Sequence, residues 1–191
     1  MTKSKEIRIG VVGAAGTGRS SLALALAERL KIRLSESKTI TKAILDRDGY
    51  DYGSGIQVER FLASRERQTE ILEKTIATQP ALLSFVADRT VIDLAAYAVA
   101  ELHDDDLNLL RKIFYDCKKH SSVYTHLFLC PWRDGTVSDN HQRTLNPWYQ
   151  FQIHALDEGI MADWGLKYVV LKSEDTEKRV KEILASIKRP C

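Results

Sequence analysis

Short apolar runs and longer stretches of helical periodicity alternate along the whole chain. Residues 7–12 form a compact, β-branched run that ends at Gly13, the pattern of a strand covered on both faces. Residues 20–31 then place Leu22, Leu24, Leu26, Ala27 and Leu30 at helical spacing. Residues 32–34 predict a brief second strand running into Glu36, and 38–47 a helix. The glycine-punctuated segment 49–55 predicts a loop. A long helix is predicted over 56–78, with Val58, Phe61, Leu62, Ile71, Leu72 and Ile76 turned to the core. Strands are predicted at 82–87, 124–130 and 167–171, and helices at 91–102, 107–118, 148–164 and 176–188. An acidic turn, 104–106, separates two of those helices. Residues 132–147 show no hydrophobic period, and unpatterned loops of that length usually carry function. Strands alternating with helices, with unbroken apolar strands, imply an α/β fold: a parallel sheet covered on both faces.

Composition narrows the class. The 191 residues are 44% hydrophobic and 28% charged, ordinary values for one globular domain spanning 1–191. Twenty-eight basic residues against 26 acidic ones leave a formal charge of +2, which argues against a surface coated with phosphate-binding charge. A local basic groove stays open. The cysteines (Cys117, Cys130, Cys191) form no CxxC pair, so neither a zinc site nor a disulfide framework is indicated. The five histidines show no metal spacing either. The first apolar run is too short and wrongly flanked for a signal peptide or membrane span, so cytoplasmic residence without membrane attachment is the expectation.

The strongest chemical signal lies between the first strand and the first helix. Gly13-Ala14-Ala15-Gly16-Thr17-Gly18-Arg19-Ser20 fits the Walker A phosphate-loop pattern GxxxxGK[ST] at every fixed position except the lysine. Such a loop wraps a phosphate so that successive backbone N–H groups converge on its oxygens, and the following helix adds its positive end. Residues 13–21 are thus the candidate ATP-binding segment, with the Ser20 hydroxyl as a Mg²⁺ ligand and Ser21 near the α-phosphate. Arg19 stands where lysine is usual. Guanidinium is planar, bulkier and always charged, so it can neutralise phosphates but is no simple replacement.

Four landmarks occur in order: GAAGTGRSS, SES around Glu36, FVADRTVIDLAAYA at 85–98, and Asp134-Gly135 with Arg143. Through them the chain resembles the small AAA_28-type P-loop kinases, a group that includes the ribosylnicotinamide kinase domain and phage nucleotide kinases. The resemblance implies a P-loop NTPase α/β/α sandwich with a five-stranded parallel sheet in the order 2-3-1-4-5. It also implies roles for single residues. Asp88 and Arg89, at the end of a central strand, would hold Mg²⁺ through water or take the acceptor's proton, and steady the transferred phosphoryl group. Read on the residues alone, Asp88 is equally a strand-end ion pair or the cap of the 91–102 helix. Glu36 competes with Asp88 as the general base, its other reading being a capping or surface glutamate. Residues 131–147 would form a lid carrying Arg133, His141 and Arg143, with Arg143 the stronger candidate for the phosphoryl group. Gln68, Arg65, Tyr50 and Tyr52 border the expected acceptor pocket, while Trp132, Trp148 and Trp164 are expected in packing.

Three functions fit these residues. The first is a Mg-ATP-dependent kinase acting on a hydroxyl of a nucleoside, nucleotide or related small molecule. The second is a kinase acting on a nucleotide within DNA or RNA, at a 5′ end or a hydroxymethylated base, with Arg60, Arg65, Arg67 and Lys118-Lys119 lining a groove. The third is a nucleotide-binding regulator with a degenerate P-loop, which Arg19 favours. A homodimer is compatible with all three. No NKxD base-reading tetrad supports a GTPase, and no strand ending in paired acids supports a mechanical ATPase.

Overall fold

The computed structural model describes residues 6–54, 56, 58–102, 107–133 and 146–187. Its elements follow the order β1 (Arg8–Val12), α1 (Arg19–Leu30), β2 (Arg33–Glu36), α2 (Ser37–Arg47), α3 (Val58–Leu62), α4 (Arg65–Thr78), β3 (Phe85–Asp88), α5 (Val91–Glu101), α6 (Leu107–His120), β4 (His126–Leu129), α7 (Pro147–Asp163), β5 (Val169–Val170) and α8 (Thr176–Ile187). The five strands are parallel and ordered β2-β3-β1-β4-β5. This is the α/β sandwich and the strand order the sequence led us to expect.

Alternation along β1 divides the core into two layers. Ile9 and Val11 face α1 and α8, packing with Leu22, Leu26, Val86, Phe128, Val180 and Ile183. Val12 faces the other way, onto a larger layer built with Phe85, Ala87, Leu129 and the buried positions of α2 and α4 to α7. Leu24, part of the periodic run in α1, turns outward and is 49% exposed.

Several predicted bounds shift, β2 reaching Glu36 and the strand expected at 167–171 shrinking to β5, and two differences alter the site's surroundings. The helix expected over 56–78 is two helices, α3 and α4, broken at Ala63-Ser64. Ser64 is extended and its side chain accepts a hydrogen bond from the Arg67 N–H, so it caps a new helix where periodicity alone suggested continuity. The strand expected at 82–87 begins only at Phe85 and includes Asp88, because register with β1 pairs Asp88 with Val11. Among the described residues no helix is long and apolar enough to cross a membrane. The acidic turn 104–106 lies outside the described residues.

Candidate active site

The loop between β1 and α1 owes its path to glycine. Gly13 has φ 151°, and a Cβ there would lie 2.9 Å from the Cys130 carbonyl oxygen. Gly18 is left-handed (φ 78°) and opens α1 with no side-chain cap. Among the described residues no side chain caps the first N–H groups of α1, and Ser20 is exposed beside them. An uncapped helix start behind a glycine loop is chemically an anion site.

Three buried polar side chains from distant helices tie the first part of this loop down. Asp93 on α5 accepts the Gly13 N–H at 3.1 Å, and Gln150 on α7 accepts the Ala15 N–H at 3.0 Å. Arg179 on α8 donates to the Thr17 carbonyl at 2.5 Å and to the Ser173 carbonyl at 2.6 Å. Asp93 also accepts from the Thr90 N–H and hydroxyl, completing a capping box at the start of α5. The α5 cap is thus Thr90, not Asp88. None of these three tethers was read as a site residue from the sequence. The signals were present, however: T-x-x-D at 90–93, and single polar residues on otherwise apolar helix faces.

Arg19 is buried. Its Nε lies 3.1 Å from Asp88 Oδ1 and its Nη1 lies 2.6 Å from Asp93 Oδ1, and it also donates to the Gly13 carbonyl. Burial alone would lower its pKa, but Asp93 and then Asp88 outweigh that and hold it above its ordinary value. The guanidinium therefore bridges the base of the loop to the ends of β3 and α5. Asp88 is paired with it, and lies in one row with Val11 and Glu36 at the carboxyl edge of the sheet. That edge is where open α/β sheets bind ligands.

Arg89 follows with φ 79°, a left-handed conformation that costs a non-glycine residue about 1–3 kcal/mol and is often kept at functional positions. Its guanidinium lies 5.0 Å from the Tyr97 ring centroid, and its buried Nε has no hydrogen-bond partner among the described residues. Glu36 is exposed at the end of β2 and makes no side-chain cap on α2, which removes its capping reading. Arg143, like His141 and Asp134-Gly135, lies outside the described residues. Arg133, just before them, pairs with Glu174 and donates to the Lys172 carbonyl at 3.2 Å.

A cavity of about 490 Å³ opens from the loop, with Arg19, Ser20, Asp88 and Arg89 at one end. Ser37, Lys38, Thr41 and Lys42 of α2 form one wall. Leu45, Val58, Leu62, Ile71, Leu94 and Tyr97 give it an apolar body, completed by Tyr52, Gln68 and Glu101. Of the residues expected to border an acceptor, Gln68 and Tyr52 do line it. Arg65 is not among its lining residues, and Tyr50 is instead buried against Tyr52 and Phe61; Arg67, expected in a basic groove, is held by Asp48 and stacked on Phe61. Trp164 packs on Phe114, while Trp132, Trp148 and Phe151 form an aromatic cluster at the start of α7. The basic residues expected to form one groove are divided. Arg60 sits in α3 and Arg65 and Arg67 at the start of α4, whereas Lys119 stands beside the far end of α4 at Ile76-Ala77, roughly 15 Å away along the helix.

Behind the loop lies an uncompensated carboxylate. Asp157 of α7 is fully buried and neither oxygen has a hydrogen-bond partner among the described residues. Burial, reinforced by Asp93, raises its pKa well above the usual carboxylate value despite the opposing pull of Arg19 and Arg89.

The fold and loop have counterparts among known proteins. No curated protein is significantly similar in sequence to the chain. A solved NadR protein in complex with NR superposes with a TM-score of 0.73 at 16% identity, covering 96% of this chain and 51% of that one. The chain thus spans about half the length of that relative. Deoxyadenosine kinase from M. mycoides, solved with dCMP and dCDP, gives 0.65 at 12% identity over 95% and 98% of the two chains. Shikimate kinase from Acinetobacter baumannii with shikimate gives 0.55 at 14% over 96% and 94%. At such identities these likenesses establish the fold of the small P-loop kinases. The AAA_28 family model, described as an AAA domain, matches residues 8–179. With nearly the whole described fold inside that match, the chain belongs to the AAA_28 family.

Proposed function

We propose that the chain is a Mg-ATP-dependent phosphotransferase that moves a γ-phosphate to a hydroxyl of a nucleoside, nucleotide or related small molecule. One observation carries this reading: the uncapped start of α1 and the acceptor-sized cavity are continuous, with Ser20, Asp88 and Arg89 at their junction. That two of its structural neighbours are a deoxyadenosine kinase and a shikimate kinase supports it.

In this reading residues 13–21 bind the triphosphate, with the amides at the start of α1 facing its β- and γ-phosphates. The Ser20 hydroxyl and the Asp88 carboxylate are hard oxygen donors at the loop's mouth, the donor type Mg²⁺ takes, and they would hold it directly and through water. The metal would supply charge neutralisation on the phosphates. Arg89, left-handed and lining the cavity beside Asp88, steadies the moving phosphoryl group. Arg143, which precedes α7 in sequence, is the second arginine proposed for that group. Asp88 lines the cavity and orients the acceptor hydroxyl, whereas Glu36 would have to turn inward from an exposed position to do so. Arg19 fixes the loop and places positive charge beneath the phosphates. Cytoplasmic residence suits this chemistry and the free, buried thiols of Cys117 and Cys130.

Labelled γ-phosphate ATP, offered with a panel of nucleosides and nucleotides, tests the reading. Transfer exceeding hydrolysis is expected, and Ser20→Ala should cut it by about 10²-fold or more while leaving the melting temperature unchanged. Full turnover in Ser20→Ala would overturn the assignment. A second reading, a nucleotide-binding regulator without transfer, draws on the double ion pair of Arg19, which occupies the cation that P-loop kinases give to the phosphates. ATP binding without transfer to any acceptor would favour it.

A further inference from the structure

The cavity has a chemical polarity that narrows its occupant. Its charged lining consists of Arg19, Lys38, Lys42 and Arg89 against Asp88 and Glu101. Asp88 faces Arg19 and Glu101 accepts the Tyr149 hydroxyl, and four cations against these two acids leave the lining net positive, with the α2 lysines at the wall away from Asp88's partner. Lys38 and Lys42 lie four residues apart on one face of α2, about 6 Å along its axis. Lys38 stands in the first turn, where a cation opposes the helix dipole, and no acid occupies that turn. Lys42 has a 2.6 Å pair with Asp46, but both groups are at least half exposed, so solvent screens the pair and leaves Lys42 able to turn to an anion.

The rest of the cavity joins an apolar body to one buried amide. Leu45, Val58, Leu62, Ile71 and Leu94 supply apolar surface. Among them Gln68 is buried, and its Nε2 donates to the Leu62 carbonyl at 2.9 Å, which fixes the amide's orientation. The hydroxyl end is set by Ser37, whose Oγ lies 3.4 Å from the Asp88 carbonyl oxygen and holds the start of α2 against the junction.

We infer that the acceptor is a phosphate-bearing nucleotide, its phosphate held by Lys38 and Lys42, its base against Leu62, Ile71 and Gln68, and its accepting hydroxyl at Asp88 and Arg89. The inference rests on the kinase reading for the hydroxyl's role; the phosphate subsite itself rests on the cavity. The phosphate can belong to a free mononucleotide or to a polynucleotide chain.

Equilibrium binding distinguishes these cases without requiring turnover. The wild-type chain is titrated with a fluorescent ATP analogue, and separately with 2′-deoxynucleosides, their 5′-monophosphates and a short single-stranded oligonucleotide. Each monophosphate should bind at least about tenfold more tightly than its nucleoside, an advantage that shrinks as salt rises. Lys38→Met with Lys42→Met should abolish the advantage, and Lys→Arg at both positions should retain it. Tighter binding of the oligonucleotide would assign the same phosphate contact to a polymer. ATP-analogue binding with nucleosides held as tightly as monophosphates would overturn this inference and leave the kinase reading standing. No ATP-analogue binding, with monophosphates still preferred, would remove the kinase reading and leave the phosphate subsite.

Discussion

Replacing Arg19 by methionine keeps most of the side-chain volume and removes the charge. Asp88 and Asp93 are 5% and 0% exposed, and both lose their cationic partner. The Gly13 carbonyl loses a donor as well. Breaking a buried ion pair by deleting one partner costs about 3–5 kcal/mol, because the charge left behind is uncompensated. For a chain of this length each kcal/mol moves the melting temperature by roughly 2–4 °C, so Arg19→Met should melt roughly 6–20 °C lower. Urea unfolding followed by far-ultraviolet circular dichroism, without nucleotide, gives the same quantity at constant temperature. The double variant Arg19→Met/Asp93→Asn removes one orphaned carboxylate too, and should recover part of the loss. Arg19→Lys should fall between, since one ammonium cannot span two carboxylates and a carbonyl at once. A single variant melting within about 2 °C of wild type, or a double variant as unstable as the summed singles, would refute the view that this ion pair holds the loop.

Gly13→Ala forces φ 151° on a residue with a Cβ and drives it against the Cys130 carbonyl; ATP-analogue affinity should fall at least about tenfold, and wild-type affinity would contradict the loop geometry. Asp157 is an acid with a folded-state pKa above its unfolded value of about 3.8, so its contribution is full below that pH and is lost as pH rises. Asp157→Asn should therefore gain in melting temperature over wild type as pH rises above about 4, and a gap that stays flat or reverses would refute it. Burial pushes the Cys130 thiol up to about 11 and raises Cys117 as well, so both should resist a thiol reagent at about pH 8 until the chain unfolds. Rapid native labelling of either would contradict their placement.

How much of this was legible depended on what each feature demands of the chain. The phosphate loop was readable because its backbone path admits only glycine at fixed spacing, and β1 and α1 flank it with clear patterns. The α3–α4 break was hidden because Ala63-Ser64 interrupts neither the apolar spacing nor the charge pattern; only Ser64's capping hydrogen bond reveals it. Asp93 and Asp157 were harder. Each sits within a helix identified by its apolar neighbours, and periodicity treats one acid in a buried stripe as noise. Yet Asp93 stands in VIDLAAYAVA, a helix apolar nearly all round, where a carboxylate must be buried and therefore partnered. Asp157 lies on the same face of α7 as Ile153 and Ile160, which offered the same clue.

Those hidden acids also explain the departure from the usual loop sequence. A lysine following Gly18 would carry a compact charge on a flexible stem. Arg19 instead meets two carboxylates and a carbonyl along its planar fork, and Asp93 in turn receives the Gly13 amide. Asp93 therefore fits arginine better than lysine, and the two residues form one structural unit. With Gln150 and Arg179 holding Ala15 and Thr17, main-chain atoms from 13 to 17 are bound by side chains from three helices. The start of α1 carries no side-chain cap among the described residues. The loop is thereby divided into a half whose shape the protein fixes in advance and a half left for an anion. Prior fixing lowers the ordering cost of binding. An arginine at this position is thus compatible with a working cradle, because it shapes the loop from beneath while the uncapped amides meet the phosphate.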